Sequence, residues 1–418
     1  MKYEIIGGKK LSGMIHVAGN KNSVFPCVAA ALLTNQIVEL RNVPKIEDTK
    51  ILIEILIQLG VEVSFIGSVL TIKAESIKNN LSKQLMTKLR GSIVLIGAIL
   101  SREGKAQFHF PGGDVIGKRS IEVHLEGFKA LGYDFKKNDL EFIVERCIKK
   151  GHPNEIKIFL PEASVTATEN LVLASVIGLG TVELENCAQE PHIVDLCRML
   201  IKMGAKIEGV GTHSLFVTRV KSLNGVNFTL GADYLEIGTY AIAAAITKGK
   251  VAIAGLDSTP LEPILVPLKK FGVDLEINQD KLLVSVDKLI SIQKLVTNIW
   301  PGFPTDMMSA MIVLATQADG VTLMHDWMYE SRMFFADKLM SMGANITIAD
   351  PHRVLVNGVA TLKGREMESP DIRAGMALVL AALVAEGTSI INKAELIERG
   401  YEDVVGKLTL LGAEIKKI

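Results

Sequence analysis

Cysteine is scarce. The four residues Cys27, Cys147, Cys187 and Cys197 fall in no CxxC pair and at no metal-ligand spacing, so neither a disulfide framework nor a zinc site is expected. Aromatic residues make up only 5% of the chain. Neither sign of charge is in excess, because 46 basic residues face 46 acidic ones. No whole-molecule field therefore gathers nucleic acid or an anionic membrane, and any anion site must be local. The longest uncharged apolar runs, Val24 to Leu33 and Gly375 to Ala385, fall short of the roughly 20 residues that a membrane helix needs. The opening MKYEIIGGKK holds no apolar core of signal-peptide length. No P-loop, dinucleotide fingerprint or metal-ligand cluster occurs, so no cofactor is expected. The expectation is a soluble, cytoplasmic protein that acts on small molecules and engages neither nucleic acid nor membrane.

Glycine and small apolar residues are abundant. With 36 glycines, 48% hydrophobic residues and 418 positions, the chain reads as globular, rich in tight turns, and long enough for two domains or three. Searching for self-similarity exposes a phrase that recurs six times: QLGVEV, ALGYDF, KMGAKI, KFGVDL, SMGANI and LLGAEI. Its glycines are Gly60, Gly132, Gly204, Gly272, Gly343 and Gly412, spaced 68 to 72 residues apart. Each closes an amphipathic helix pattern, where a left-handed C-cap suits glycine, and each precedes a strand. Upstream runs such as YAIAAAIT and MALVLAALVA are apolar all round, which predicts helices buried within a domain and sheets outside them. Three repeats per domain are expected. The division is placed at 18–229 for the first domain, which carries the glycine-rich loop, and at 1–17 with 230–418 for the second.

Several segments break this regular pattern, and function is sought there. In VAGNKNSVFP, Lys21 and Asn22 precede a buried-helix pattern; a lysine there is either a solvated surface charge or an anion ligand at a positive helix end. HFPGGDVIGKRSIEVH carries Asp114 at the tip of a glycine-rich loop, followed by Lys118, Arg119 and His124, and reads as a mobile lid or as an ordinary turn. In WPGFPTDMMSA, Asp306 stands before another buried-helix pattern, where it is either an N-cap or a general base. Arg90 in TKLRGS, Asp371 and Arg373 in SPDIRAGMAL, and Arg399 in LIERGYED put arginine forks at element ends. Such forks suit phosphate and carboxylate.

The ordered set AGNKN, RGS, PGGD, SVTATEN, EPHIVD, PGFPTDM, YESR, PDIRAG and ERGYED resembles the UDP-N-acetylglucosamine 1-carboxyvinyltransferase family of enolpyruvyl transferases along essentially the whole chain. The resemblance implies an α/β, two-domain enolpyruvyl transferase fold of six βαβαββ-type units, helices inside and sheets outside as an inside-out barrel, with the active site in the cleft between domains. It implies transfer of the enolpyruvyl group of phosphoenolpyruvate to UDP-N-acetylglucosamine, the committed step of peptidoglycan synthesis. In that scheme Lys21, Arg119 and Arg399 hold the phosphate or carboxylate of phosphoenolpyruvate. Asn22 places the sugar, and Arg90 and Arg373 complete a cationic ring. Asp306 takes the proton of the sugar hydroxyl. Ser120, Ile121, Glu122, Val123, His124, Ser164 and Val165 match uridine and diphosphate contacts, and Met328, Arg332 and Asp371 match further substrate contacts.

Departures from the family pattern are visible as well. Asp114 stands where the family usually has cysteine, which implies a carboxyl proton donor and resistance to fosfomycin, an alkylator of the cysteine thiolate. Ser120, Glu122, Thr166 in place of glycine, and Tyr234 in place of arginine alter presumed nucleotide contacts. Two rivals remain at this point: the sister reaction on shikimate 3-phosphate, and a catalytically silent sugar-nucleotide-binding regulator.

Overall fold

The computed structural model describes residues 1–113, 117, 119–147, 153–178 and 180–418. The chain divides into two compact units. One comprises Gly19–Gly113 and Arg119–Gly231; the other contains Met1–Ala18 and Ala232–Ile418.

The repeat is one supersecondary unit. In the third copy, strand Glu155–Phe159 runs parallel to Thr181–Glu185 across the buried helix Val165–Val176. Helix Pro191–Lys202 follows; Ser214–Thr218 then pairs antiparallel with Thr181–Glu185, and Lys206–Glu208 pairs antiparallel with Ser214–Thr218 at the edge. Burial alternates along these strands, with Val182, Leu184, Leu215 and Val217 turned inward at 0% exposure, as a half-buried sheet requires. All six repeat glycines have φ between +86° and +106°, so each ends its helix in the left-handed conformation that a side chain would strain.

Each repeat also has one helix buried almost all round. Every residue of Tyr234–Ile246 and of Met308–Thr316 is buried, and these two pack with Ile372–Val384 at the centre of the C-terminal unit. Lys21–Ala31, Leu95–Glu103 and Val165–Val176 do the same in the N-terminal unit. Around each trio lie three sheets. None of the described sheets closes on itself, so the barrel part of the sequence expectation is corrected: separate open sheets cover the helices.

Two irregularities matter. The second repeat has a three-stranded sheet, and where the others have an opening strand it has a single parallel bridge from Asn80 to Gln107. That repeat carries the glycine-rich loop. The other irregularity is an exchange of edge strands: Val226–Thr229 pairs with Ile37–Arg41, whereas Ser12–His16 pairs with Lys250–Ala254.

Candidate active site

Asp306 lies in a short 3-10 turn, Thr305–Met307, ahead of the buried helix Met308–Thr316. That helix has no side-chain cap, so the N-cap reading of Asp306 does not hold. The carboxylate instead accepts from Arg332 Nη2 at 2.9 Å and Arg373 Nε at 3.1 Å. The two guanidinium side chains are 2% and 6% exposed, and the carboxylate is 32% exposed. Buried cations thus orient an acid that water still reaches. Behind them, Arg373 stacks over the Tyr401 ring and Arg332 over Tyr329.

A residue without any sequence signal of its own builds this cluster. Asp326, 0% exposed, accepts the hydroxyls of Thr297 and Thr305 and the backbone N–H groups of Met328 and Tyr329. It thereby fixes the turn that carries Asp306 to the segment that carries Arg332. In the sequence it stands as a lone acid after strand Gly320–His325, where a turn residue is ordinary. Met328 itself is half-buried and meets Asp326 through its N–H. Asp371 caps helix Ile372–Val384, accepting from the N–H groups of Arg373 and Ala374. Arg399 is half-buried at the end of the 3-10 segment Ala394–Arg399. Tyr234 is buried against Trp300, with ring centroids 5.2 Å apart.

In the N-terminal unit Lys21 is 7% exposed, which excludes the solvated reading. Its ammonium lies 2.8 Å from Asp48, itself 2% exposed. Asp48 was hidden because it sits in the first turn of Glu47–Gln58, where acids merely complement a helix end. Asn22 is half-buried, and its backbone N–H is capped by Asn20. Arg90 and Arg119 are both half-buried. Ser120 and Glu122 are exposed, the Ser120 hydroxyl accepting the Glu122 N–H. Ile121 and Val123 point into the apolar core, so a ligand would meet only their backbone. Ser164 caps helix Val165–Val176 through the Ala167 N–H, and both Ser164 and Val165 are half-buried. Asp114 lies outside the described residues, as does Lys118.

His124 is 3% exposed and bonded on both ring nitrogens. Asn170 accepts the Gly97 N–H through Oδ1 and donates to the Ile93 carbonyl through Nδ2, which fixes its amide. That amide must also donate to His124 Nδ1, so the imidazole proton sits on Nε2 and is given to the Thr166 hydroxyl. Burial, reinforced by the charge of Arg90, lowers the His124 pKa to about 3. The ring is neutral in the native protein, and Thr166 is its partner.

Comparison with known proteins adds independent evidence. A sequence profile of EPSP synthase (3-phosphoshikimate 1-carboxyvinyltransferase) matches residues 5–408. A UDP-N-acetylglucosamine 1-carboxyvinyltransferase of Borreliella burgdorferi is 43% identical over 100% of this chain and 99% of its own. The chain belongs to the enolpyruvyl transferase family. A second relative of the same description, from Treponema denticola, is 41% identical over 99% of both chains. An enolpyruvyl transferase from Streptomyces tendae superposes with a TM-score of 0.88 at 24% identity, covering 99% of this chain and 98% of that one. EPSP synthase from Acinetobacter baumannii gives 0.75 at 18% identity over 100% of both. These two likenesses bear on the fold alone. Among the described residues there is no metal-binding group of acids, histidines and cysteines, and no helix long and apolar enough to cross a membrane.

Proposed function

We propose that this enolpyruvyl transferase moves the enolpyruvyl group of phosphoenolpyruvate onto the 3-hydroxyl of UDP-N-acetylglucosamine with release of phosphate, in the cytoplasm, as the committed step of peptidoglycan synthesis. The observation that carries the reading is Asp306: a water-accessible carboxylate gripped by two buried arginines, in a chain whose full-length relatives carry that name. Asp306 takes the hydroxyl proton as the sugar oxygen bonds to C2 of the enol, while an acid delivers a proton to C3. The resulting tetrahedral adduct expels phosphate, reforming the double bond as a proton leaves C3. Lys21, Arg119 and Arg399 bind the phosphate and carboxylate of phosphoenolpyruvate, and Asn22 with the residues from Ser120 to His124, Ser164 and Val165 receives the nucleotide sugar.

Asp114 is the C3 acid in this scheme, and its carboxylate is a poor nucleophile toward fosfomycin. Asp114→Cys is expected to convert an enzyme that fosfomycin leaves active into one inactivated in a time-dependent way; covalent labelling of Asp114 itself would overturn this part.

The test of the whole is incubation of purified protein with both substrates, mass analysis for the enolpyruvyl sugar nucleotide, and assay of phosphate. The description of the matching profile favours shikimate 3-phosphate as the second acceptor to offer. Phosphate release with that acceptor alone would transfer the assignment to the sister reaction, and sugar-nucleotide binding without turnover would leave a binding protein.

A further inference from the structure

Arg90 is half-buried, and its guanidinium is aimed at main-chain oxygens. Nη2 donates to the Arg119 carbonyl at 2.8 Å and, more weakly, to that of Ser120 at 3.4 Å, and Nη1 donates to the Pro111 carbonyl at 3.4 Å. The group also lies over the Phe110 ring, 5.4 Å from its centroid. Pro111 and Arg119 are the two stems of the glycine-rich loop, so one planar fork ties the segment entering the loop to the segment leaving it.

The surroundings are built for this contact. The Gly112 N–H donates to the Met86 carbonyl at 3.0 Å, and a Cβ on Gly112 would stand 1.8 Å from the Thr87 carbonyl oxygen. At Gly113, with φ +115°, a Cβ would meet Arg90 Cβ at 2.8 Å and Arg119 Nη2 at 3.4 Å. The entering stem therefore lies directly on the Thr87–Arg90 segment, and it can do so only because Gly112 and Gly113 lack side chains. No opening strand anchors this repeat, where a lone bridge at Asn80 stands instead, so the stems need another tether.

We propose that Arg90 is a positioning residue: its guanidinium clamps both stems of the loop and so sets where Arg119 presents its own charge to an anionic substrate. A lysine cannot reproduce the clamp, since one ammonium cannot span carbonyls on both stems in a fixed plane. The catalytic consequence rests on the function proposed above, whereas the clamp itself does not.

The experiment is hydrogen exchange by mass spectrometry on the full chain without ligands, comparing wild type, Arg90→Lys and Arg90→Ala, with phosphoenolpyruvate kinetics alongside. In both variants exchange across residues 109–121 should rise about tenfold, as expected for local opening once charge-assisted bonds to carbonyls are lost, with the rest of the unit unchanged. The KM for phosphoenolpyruvate should rise in both while that for the nucleotide sugar moves little, and lysine should not rescue. Unchanged loop exchange together with weakened phosphoenolpyruvate binding, or rescue by lysine, would make Arg90 a direct substrate ligand and overturn the clamp. A rise spread evenly over Gly19–Gly231 would reduce it to a fold-stability residue. A wild-type protein that shows the loop effect on substitution yet turns over neither acceptor would remove the proposed function and leave the clamp standing.

Discussion

The two units solve opposite electrostatic problems. In the C-terminal unit the cations Arg332 and Arg373 are buried and the acid they hold, Asp306, reaches solvent. In the N-terminal unit the pair Lys21–Asp48 is buried on both sides, the two side chains 9% and 3% exposed, while Arg90 is engaged with backbone carbonyls. Under the function proposed above, one unit supplies the base for a proton and the other supplies cations for an anion. A shared repeat can be specialised in this way because the chemistry sits at helix entries and loop stems, where the buried trio of helices does not dictate the side chain.

Three changes would break or sharpen this contrast. The largest effect belongs to Asp306→Asn, which keeps the shape but removes the basic oxygen; kcat should fall by about 10²- to 10⁴-fold in a phosphate-release assay. A rate within a factor of about three of wild type, against that range for general-base groups, would show that Asp306 does not take the proton. Next comes Lys21→Met, which strips a buried carboxylate of its counter-ion and should cost roughly 3 kcal/mol in denaturant unfolding. Adding Asp48→Asn should recover most of that stability without recovering turnover, separating the structural role of the lysine from its role as a ligand.

The smallest expected effect concerns the neutral network of the N-terminal unit. His124 has an ordinary pKa of 6.5 when unfolded and about 3 when folded, so between those values the unfolded chain binds the proton that the native protein refuses. This contribution to stability is complete above the unfolded value and declines as pH drops toward the folded one, amounting to a loss of about 2 kcal/mol by pH 5. In His124→Asn the difference in Tm between pH 7 and pH 5 should shrink accordingly. An unchanged difference would place the acid sensitivity elsewhere.

The repeat was legible because it is written in spacing: six glycines at near-equal intervals, each at the same left-handed helix end, give the unit, its number and its order. The buried helices were legible from their composition. The candidate site was legible only by residue type and by resemblance. Asp306 could be read as a cap or as a base, and only its two arginine partners, 26 and 67 positions away, separate those readings. Asp48 and Asp326 gave no signal, and Asn170 was not singled out within SVTATEN, because each acts through contacts distant in sequence or in a local setting where its residue type is commonplace. The carbonyl contacts of Arg90 were not legible for a related reason: a guanidinium suits carbonyl oxygens as well as it suits phosphate, and nothing in TKLRGS says which it will meet.

The exchange of edge strands has a consequence for how the chain is made. Lys2–Ile6 lies between Thr388–Asn392 and Glu414–Lys417, and Ser12–His16 lies beside Lys250–Ala254. Both strands are made long before their partners, Ser12–His16 ahead of Lys250–Ala254 and Lys2–Ile6 ahead of Thr388–Asn392 and Glu414–Lys417. Gly19–Gly231 can reach all of its own strands while translation continues, whereas Lys2–Ile6 waits as unpaired, aggregation-prone edge until Thr388–Asn392 and Glu414–Lys417 arrive. Lys2–Ile6 thus settles into its sheet only after the rest of its unit, made later than itself, has closed around it.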